Sequence, residues 1–172
     1  MTVILMQKTK SKVTLFADGR ITSDGGFIIG NTSEKIIKVN QNIILAVAGF
    51  APDNEIISDL LFECKTAREC VEVLIEASEV VLPDSDSTIT ILLADSLLNV
   101  YELVLPYKQV LKIKDNVLAI GSGSQYIYGI LSGKKTMHFT EFCKAIKYLS
   151  ANRDSTIGGK CNQMEVKYEK VD

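Results

Sequence analysis

A threonine stands directly behind the first methionine, and position 2 is where this sequence could carry chemistry of its own. Threonine is small enough for Met1 to be clipped from in front of it. Removal would leave a hydroxyl and a free α-amine on one residue, Thr2. An α-amine has an unperturbed pKa of roughly 7.7–8.0, so near neutrality it suits the role of base for that hydroxyl. Other reactive arrangements have little to work with. Cys64, Cys70, Cys143 and Cys161 contain no C-x-x-C pair, and His138 is the only histidine. A zinc site needs clustered thiolates or imidazoles, so no metal is expected. The four cysteines read as small buried hydrophobes. A Ser-His-Asp or Cys-His constellation could be built only around His138. The stretch Gly121-Ser122-Gly123 completes neither a G-x-G-x-x-G nor a Walker pattern, and Ser122 is equally a helix N-cap.

The elements that must position these groups follow from periodicity. Residues 2–6 and 13–17 are short, β-branched apolar runs around the polar stretch 8–12, a hairpin pattern. Asp18-Gly19 and Asp24-Gly25-Gly26 are turn signals. Runs 35–39 and 43–48 read as strands, the second closed by Gly49. From Pro52 the period becomes helical through Ile56, Ile57, Leu60 and Leu61. A capping box, Thr66-x-x-Glu69, predicts a helix running through Val80 to Pro83. Strands are expected at 88–94, 98–105, 110–113 and 117–120, and a third helix from Gly121 to near Gly133. Thr140 is the expected cap of a fourth helix, and alternation at Met164, Val166 and Tyr168 marks a last strand. Helix pairs set between runs of strands suggest α+β, with helices covering the outer faces of two stacked sheets. A four-layer α-β-β-α sandwich is the expected architecture, with residues 1–172 as a single domain.

Composition bounds the function. Of 172 residues, 47% are hydrophobic and 23% charged, with 3 Pro and 11 Gly, which is globular and not disordered or collagen-like. Lys and Arg total 19 against 21 Asp and Glu, and no basic block occurs, so a nucleic-acid partner has no electrostatic support. The apolar runs are too short to span a bilayer, and the first residues carry no secretory signal pattern, so the expected compartment is the cytoplasm.

Five segments taken together resemble a known family. They are Phe16-Ala17-Asp18-Gly19-Arg20-Ile21-Thr22, Glu34-Lys35-Ile36-Ile37-Lys38-Val39, Leu45-Ala46-Val47-Ala48-Gly49, Ala119-Ile120-Gly121-Ser122-Gly123-Ser124, and Arg153-Asp154 ahead of Gly158-Gly159. In this order and spacing the chain resembles the β-type proteasome subunits, including bacterial HslV-type peptidases, which are N-terminal-nucleophile hydrolases. The resemblance implies that Thr2 is the nucleophile, with Asp18 and Lys35 as a buried pair beside it. A one-residue insertion must be allowed before Lys35, so Lys38 is the alternative lysine. It further implies Ser122 as partner of the Thr2 amine, Asp154 as a residue orienting that end of the site, and Gly49 as the oxyanion donor. Thr22 would pair with an extended peptide through its backbone, and Ile21, Ser33, Ile37, Val47 and Ala51 would line an apolar specificity pocket. Each has a plainer alternative: Asp18 as a turn aspartate, Gly49 as an ordinary turn glycine, Lys35 as a surface lysine. The chain departs from the family at Ile157, where proteasome subunits commonly carry a serine before the Gly-Gly pair.

The function implied is a threonine-type endopeptidase in a self-compartmentalised assembly, taking peptides or unfolded protein and needing no cofactor. Family analogy implies homo-oligomeric rings of six or seven subunits, possible stacking of the rings, and an ATP-dependent unfoldase as partner. Two other readings stand beside it: a catalytically inactive subunit with an assembly role, and a small-molecule amidase of the same superfamily acting without a chamber.

Overall fold

The computed structural model describes residues 2–23, 27–49, 54–82 and 88–169. The expected turn at 24–26, Pro52 and Pro83 lie outside the described residues. The polypeptide starts with the antiparallel hairpin β1 (Ile4–Lys8) and β2 (Lys12–Ala17), then the short pair β3 (Ile21–Thr22) and β4 (Ile28–Gly30). Next come β5 (Ile36–Asn40), β6 (Ile43–Gly49), α1 (Asn54–Leu61), α2 (Ala67–Glu76) and α3 (Ser78–Val81). Then follow β7 (Ile89–Asp95), β8 (Val100–Leu105), β9 (Gln109–Lys112) and β10 (Val117–Ile120). The last elements are α4 (Ser124–Leu131), α5 (Phe139–Asn152) and β11 (Asn162–Lys167).

Two antiparallel sheets form the centre, one ordered β10-β1-β2-β11 and the other β5-β6-β7-β8-β9. The strands bury both faces, and period-2 alternation divides their side chains between different cores. Ile4, Met6, Val13 and Leu15 meet Ile44, Ala46, Leu92 and Ala94 in a core between the sheets. Leu45, Val47, Ile91 and Leu93, on the opposite face of β6 and β7, pack against Ile57, Leu61, Cys70 and Leu74 of α1 and α2. Val3, Leu5 and Phe16, on the far face of β1 and β2, pack against Ile127, Phe142, Ile146 and Leu149 of α4 and α5. Three cores separate four layers, α-β-β-α, as the sequence pattern implies. Because both sheet faces are covered, β1, β6 and β7 read as unbroken apolar runs although their neighbours are antiparallel.

Several local details differ from the sequence expectation. The helix expected from Thr66 to Pro83 is interrupted at Ala77 (φ −87°, ψ 15°), which separates α2 from α3. Thr66 does cap α2, its hydroxyl accepting from Glu69 N at 3.2 Å, while the Glu69 carboxylate accepts from Lys65 N at 2.7 Å. The fourth helix starts one residue earlier than Thr140. Its cap is His138, whose N–H donates to Glu141 Oε2 at 3.0 Å, and Thr140 lies in the first turn. The β3–β4 pair was not expected; elements of two and three residues are too short for periodicity to register.

Asp95, buried at the end of β7, ties two parts of the fold together. One carboxylate oxygen accepts from Leu97 N (3.0 Å) and Asn99 N (2.9 Å), closing the turn into β8. The other accepts from Ala67 N (3.0 Å) and so satisfies a free N–H of the first turn of α2.

Candidate active site

Thr2 leads into β1 and is buried against the loop between β10 and α4. That loop can approach only because Gly121 has no side chain. Its φ is +85°, and a Cβ there would lie 2.3 Å from the Thr2 carbonyl oxygen. The Thr2 carbonyl accepts from Gly123 N at 3.3 Å, and Thr2 N donates to Ser122 Oγ at 3.3 Å. The N-cap of α4 is Gly123, not Ser122, so the Ser122 hydroxyl is turned to Thr2 instead of serving the helix. Met1 lies outside the described residues.

Asp18 ends the run of β2 directly beside this point. Its N–H donates to Val3 O at 3.1 Å, and the side chain is fully buried. Oδ1 accepts from Val3 N (2.9 Å) and from Lys35 Nζ (2.8 Å), while Oδ2 accepts from Gly158 N (3.1 Å). One carboxylate therefore holds the lysine ammonium and the amide of the residue next to Thr2 on the same oxygen. Lys35 rather than Lys38 is the paired lysine; the Lys35 side chain is 9% exposed, whereas Lys38 is exposed on β5. Burial lowers the Lys35 pKa below its ordinary value, and the charge and hydrogen bond of Asp18 offset part of that shift.

The remaining expected residues fall into three groups. Gly49 closes β6 at φ +109°, where a Cβ would lie 2.4 Å from Thr88 O, so glycine is required there. The Lys35 carbonyl accepts from Val47 N at 2.9 Å, which puts Gly49 two residues beyond the strand position paired with Lys35. Ile21, Thr22 and Ser33 are half-buried, with Ser33 N donating to Gly19 O at 2.9 Å. Ile37 and Val47 are buried and belong to the core under α1 and α2; Ala51 lies outside the described residues. Asp154 is not joined to Thr2 or Ser122. Its carboxylate instead accepts from the backbone N–H of Thr156 at 2.9 Å and bonds the Thr156 hydroxyl, closing its own turn. Its backbone carbonyl accepts from Ile157 N at 3.1 Å, within the loop that leads to Gly158.

Ile157, where the resemblance would place a serine, is fully buried among Val3, Phe16 and Phe142. It is close enough that a Cβ on Gly123 would meet its Cδ1 at 2.7 Å. The cysteines are poor candidates for the nucleophile: burial pushes the Cys161 thiol up to about 12, and the Cys64 and Cys70 thiols are raised as well. Among the described residues no group of His, Cys, Asp and Glu has the makeup of a metal site.

Sequence reasoning missed two contributors. Gly158 donates its N–H to Asp18, and Arg20 holds the segment around Gly158 through Ser155 O and Ile157 O. An arginine two residues beyond Asp18, in the Asp-Gly-Arg segment, was the available signal.

Comparison with known proteins bears on the fold. The family model for proteasome subunits matches residues 2–72, the segment that carries Thr2, Asp18, Lys35 and Gly49. No match to a curated protein sequence is found. In structure the chain is similar to the eukaryotic HslV of Trypanosoma brucei, with a TM-score of 0.72 over 96% of this chain and 99% of that one, at 15% identity.

Proposed function

Given a chain with the proteasome/HslV fold, similar to proteasome subunits over residues 2–72, we propose that it is a threonine-type endopeptidase subunit. The observation that carries this reading is the Asp18 carboxylate, which binds Lys35 Nζ and Val3 N–H on one oxygen immediately beside Thr2. Removal of Met1 converts the Thr2 nitrogen into the free α-amine that Ser122 Oγ then holds. The Thr2 hydroxyl attacks the scissile carbonyl carbon and its proton passes to the α-amine. The Lys35 cation favours the alkoxide, and Gly49 N–H receives the developing oxyanion. The α-ammonium returns the proton to the leaving amine as the C–N bond breaks, leaving an ester on Thr2. Water, deprotonated by the same amine, hydrolyses that ester.

Substrate would lie extended along Thr22, adding a strand to β3. The specificity pocket expected of Ile21, Ser33, Ile37, Val47 and Ala51 would carry no charge of its own and would favour apolar side chains. Exposed apolar residues on the outer helices and the turn after α1, among them Ile56, Val80 and Phe62, support assembly into a homo-oligomeric ring of six or seven subunits. An ATP-dependent unfoldase would feed such a chamber, in the cytoplasm.

Intact mass and peptide hydrolysis test this together. The active form should lack one methionine; Thr2→Ala should abolish hydrolysis without unfolding the chain, and Thr2→Ser should retain part of it. Turnover that survives in Thr2→Ala removes Thr2 as the nucleophile. Ile157 favours one second reading, an assembly subunit without activity. A full-length mass with Met1 retained and no turnover would select it.

A further inference from the structure

Arg20 is half-buried at the end of the Asp18-Gly19-Arg20 segment, and its guanidinium joins the turn after β4, the last turns of α5 and the loop after α5. Nε donates to Asn31 Oδ1 at 2.8 Å, and Nη1 donates to Ser150 Oγ at 3.0 Å, to Ile157 O at 3.1 Å and to Ser155 O. No carboxylate is among these partners. The loop from α5 to β11 wraps the guanidinium so closely that a Cβ on Gly158 would sit 2.7 Å from its Cζ.

The Ile157–Gly158 peptide is the critical link. Its carbonyl accepts from Arg20 Nη1, and its N–H donates to Asp18 Oδ2 at 3.1 Å. One amide group thus lies between a guanidinium and a carboxylate, with its dipole aligned from one to the other. Hydrogen bonds in series polarise one another, and a charged group at each end strengthens both. The next carbonyl, Gly158 O, accepts from Gly19 N at 3.0 Å, so the two segments are pinned from both sides.

We infer that Arg20 is a positioning residue for the site: through the Ile157–Gly158 peptide it holds Oδ2 of Asp18, so that Oδ1 stays aimed at Lys35 and Val3. It touches neither the reacting hydroxyl nor the amine. Lysine could not replace it, since a single ammonium cannot reach four acceptors with a planar fork's geometry. This inference rests on the peptidase reading for its kinetic arm and on geometry alone for its titration arm.

The test compares the whole protein with Arg20→Gln and Arg20→Lys, reading the Lys35 side chain by NMR titration and peptide hydrolysis by its pH profile. Among the described residues Asp18 faces Lys35 directly, and Arg20 bears on it through the Ile157–Gly158 peptide. Losing the guanidinium's bond to the Ile157 carbonyl loosens the Gly158 N–H on Oδ2, and Oδ1 is then no longer held toward Lys35. Lys35 then loses part of the partner that offsets its burial, so its midpoint should move further downward in both variants. kcat should fall on the order of a hundredfold, as for a misplaced catalytic group, with KM nearly unchanged. Should Arg20→Gln fail to fold, Arg20→Lys gives the reading. An unmoved Lys35 midpoint in a folded variant overturns the inference, whatever the activity. A moved midpoint in a protein that cleaves no peptide upholds the positioning role and counts against the peptidase reading instead.

Discussion

The buried pair offers the sharpest quantitative test of the site, because its two halves should fail by different amounts. Replacing Lys35 with Met removes the cation but leaves Asp18 with the N–H groups of Val3 and Gly158 at 2.9 and 3.1 Å. Deleting one partner of a buried pair costs about 3–5 kcal/mol, and two remaining donors put this case near the lower end. Asp18→Ala strands three donors at once. Each unpaired buried N–H costs about 1–3 kcal/mol. Lys35 can escape its stranded charge by losing a proton, which bounds its share at about 5 kcal/mol for a lysine of ordinary pKa held near neutral pH. Asp18→Ala should therefore be the worse variant, by about 2 kcal/mol or more, as a sum of these losses. Asp18→Asn keeps the shape and isolates the charge. The pH dependence has a definite sign. Lys35 in the folded chain has a pKa below its ordinary 10.5, so the unfolded chain binds the proton more readily. Stability is thus lost as pH falls from 10.5 through the lowered folded value, and losing Asp18 deepens that loss. Urea unfolding across this range should show the Asp18→Asn deficit largest near neutrality and shrinking as pH rises. In Lys35→Met that dependence should vanish. The double variant should be scarcely less active than either single one. Lys38→Ala, on the exposed face, should stay within about 0.5 kcal/mol of wild type. A small, pH-independent deficit for Asp18→Asn would refute the pair as described.

Gly121→Ala would place a methyl 2.3 Å from the Thr2 carbonyl oxygen at a φ of +85°; it should cost roughly 1–3 kcal/mol in backbone strain and abolish hydrolysis. A fully active Gly121→Ala enzyme would contradict the seating of Thr2 on that loop. Asp95→Ala leaves the N–H groups of Ala67, Leu97 and Asn99 unpaired and should cost about 3 kcal/mol or more in urea unfolding. Activity per folded molecule should not change, because Asp95 sits at the end of β7 opposite Ile89, the partner of Gly49. Sedimentation of the purified protein should show an assembly through its exposed helix faces, and a monomer at all micromolar concentrations would exclude a chamber.

How far the sequence disclosed this structure depended on the range of each interaction. The strands were legible because covering both sheet faces forces continuous apolar runs such as 43–48, which periodicity and length detect together. The start of α2 was legible because Thr66 and Glu69 act within one turn. The break at Ala77 was not, since neither glycine nor proline marks it and the apolar stripe continues through Val80 and Val81. At α5 side-chain preference pointed to Thr140, while the actual cap uses the backbone N–H of His138, a group every residue but proline possesses. In the site, Asp18 and Lys35 were identifiable from family spacing, and only coordinates could choose Lys35 over Lys38. Arg20 was invisible as a positioning group because its partners include backbone carbonyls some 135 residues away. The role carried over to Asp154 was displaced for the opposite reason: its partner is local, two residues along the chain.

Ile157 shows how such a site can change chemistry without losing its frame. A serine there would carry one hydroxyl in place of the apolar side chain, and a hydrogen bond contributes about 0.5–1.5 kcal/mol net. Isoleucine instead buries its whole side chain against Val3 and Phe16, a contribution of about 1.5–3 kcal/mol. The exchange leaves the backbone of the position untouched, and the backbone is what the site uses: the carbonyl to Arg20, the following N–H to Asp18. The Thr2 nitrogen meanwhile keeps Ser122 Oγ at 3.3 Å. Neither the packing of Ile157 nor the contacts of its backbone with Arg20 and Asp18 depend on a hydroxyl at that position, and under the proposed mechanism a serine there would bear on a single step, the proton shuttle through the Thr2 amine. A rate limited at that step, on an otherwise intact frame, is the kinetic consequence this substitution predicts.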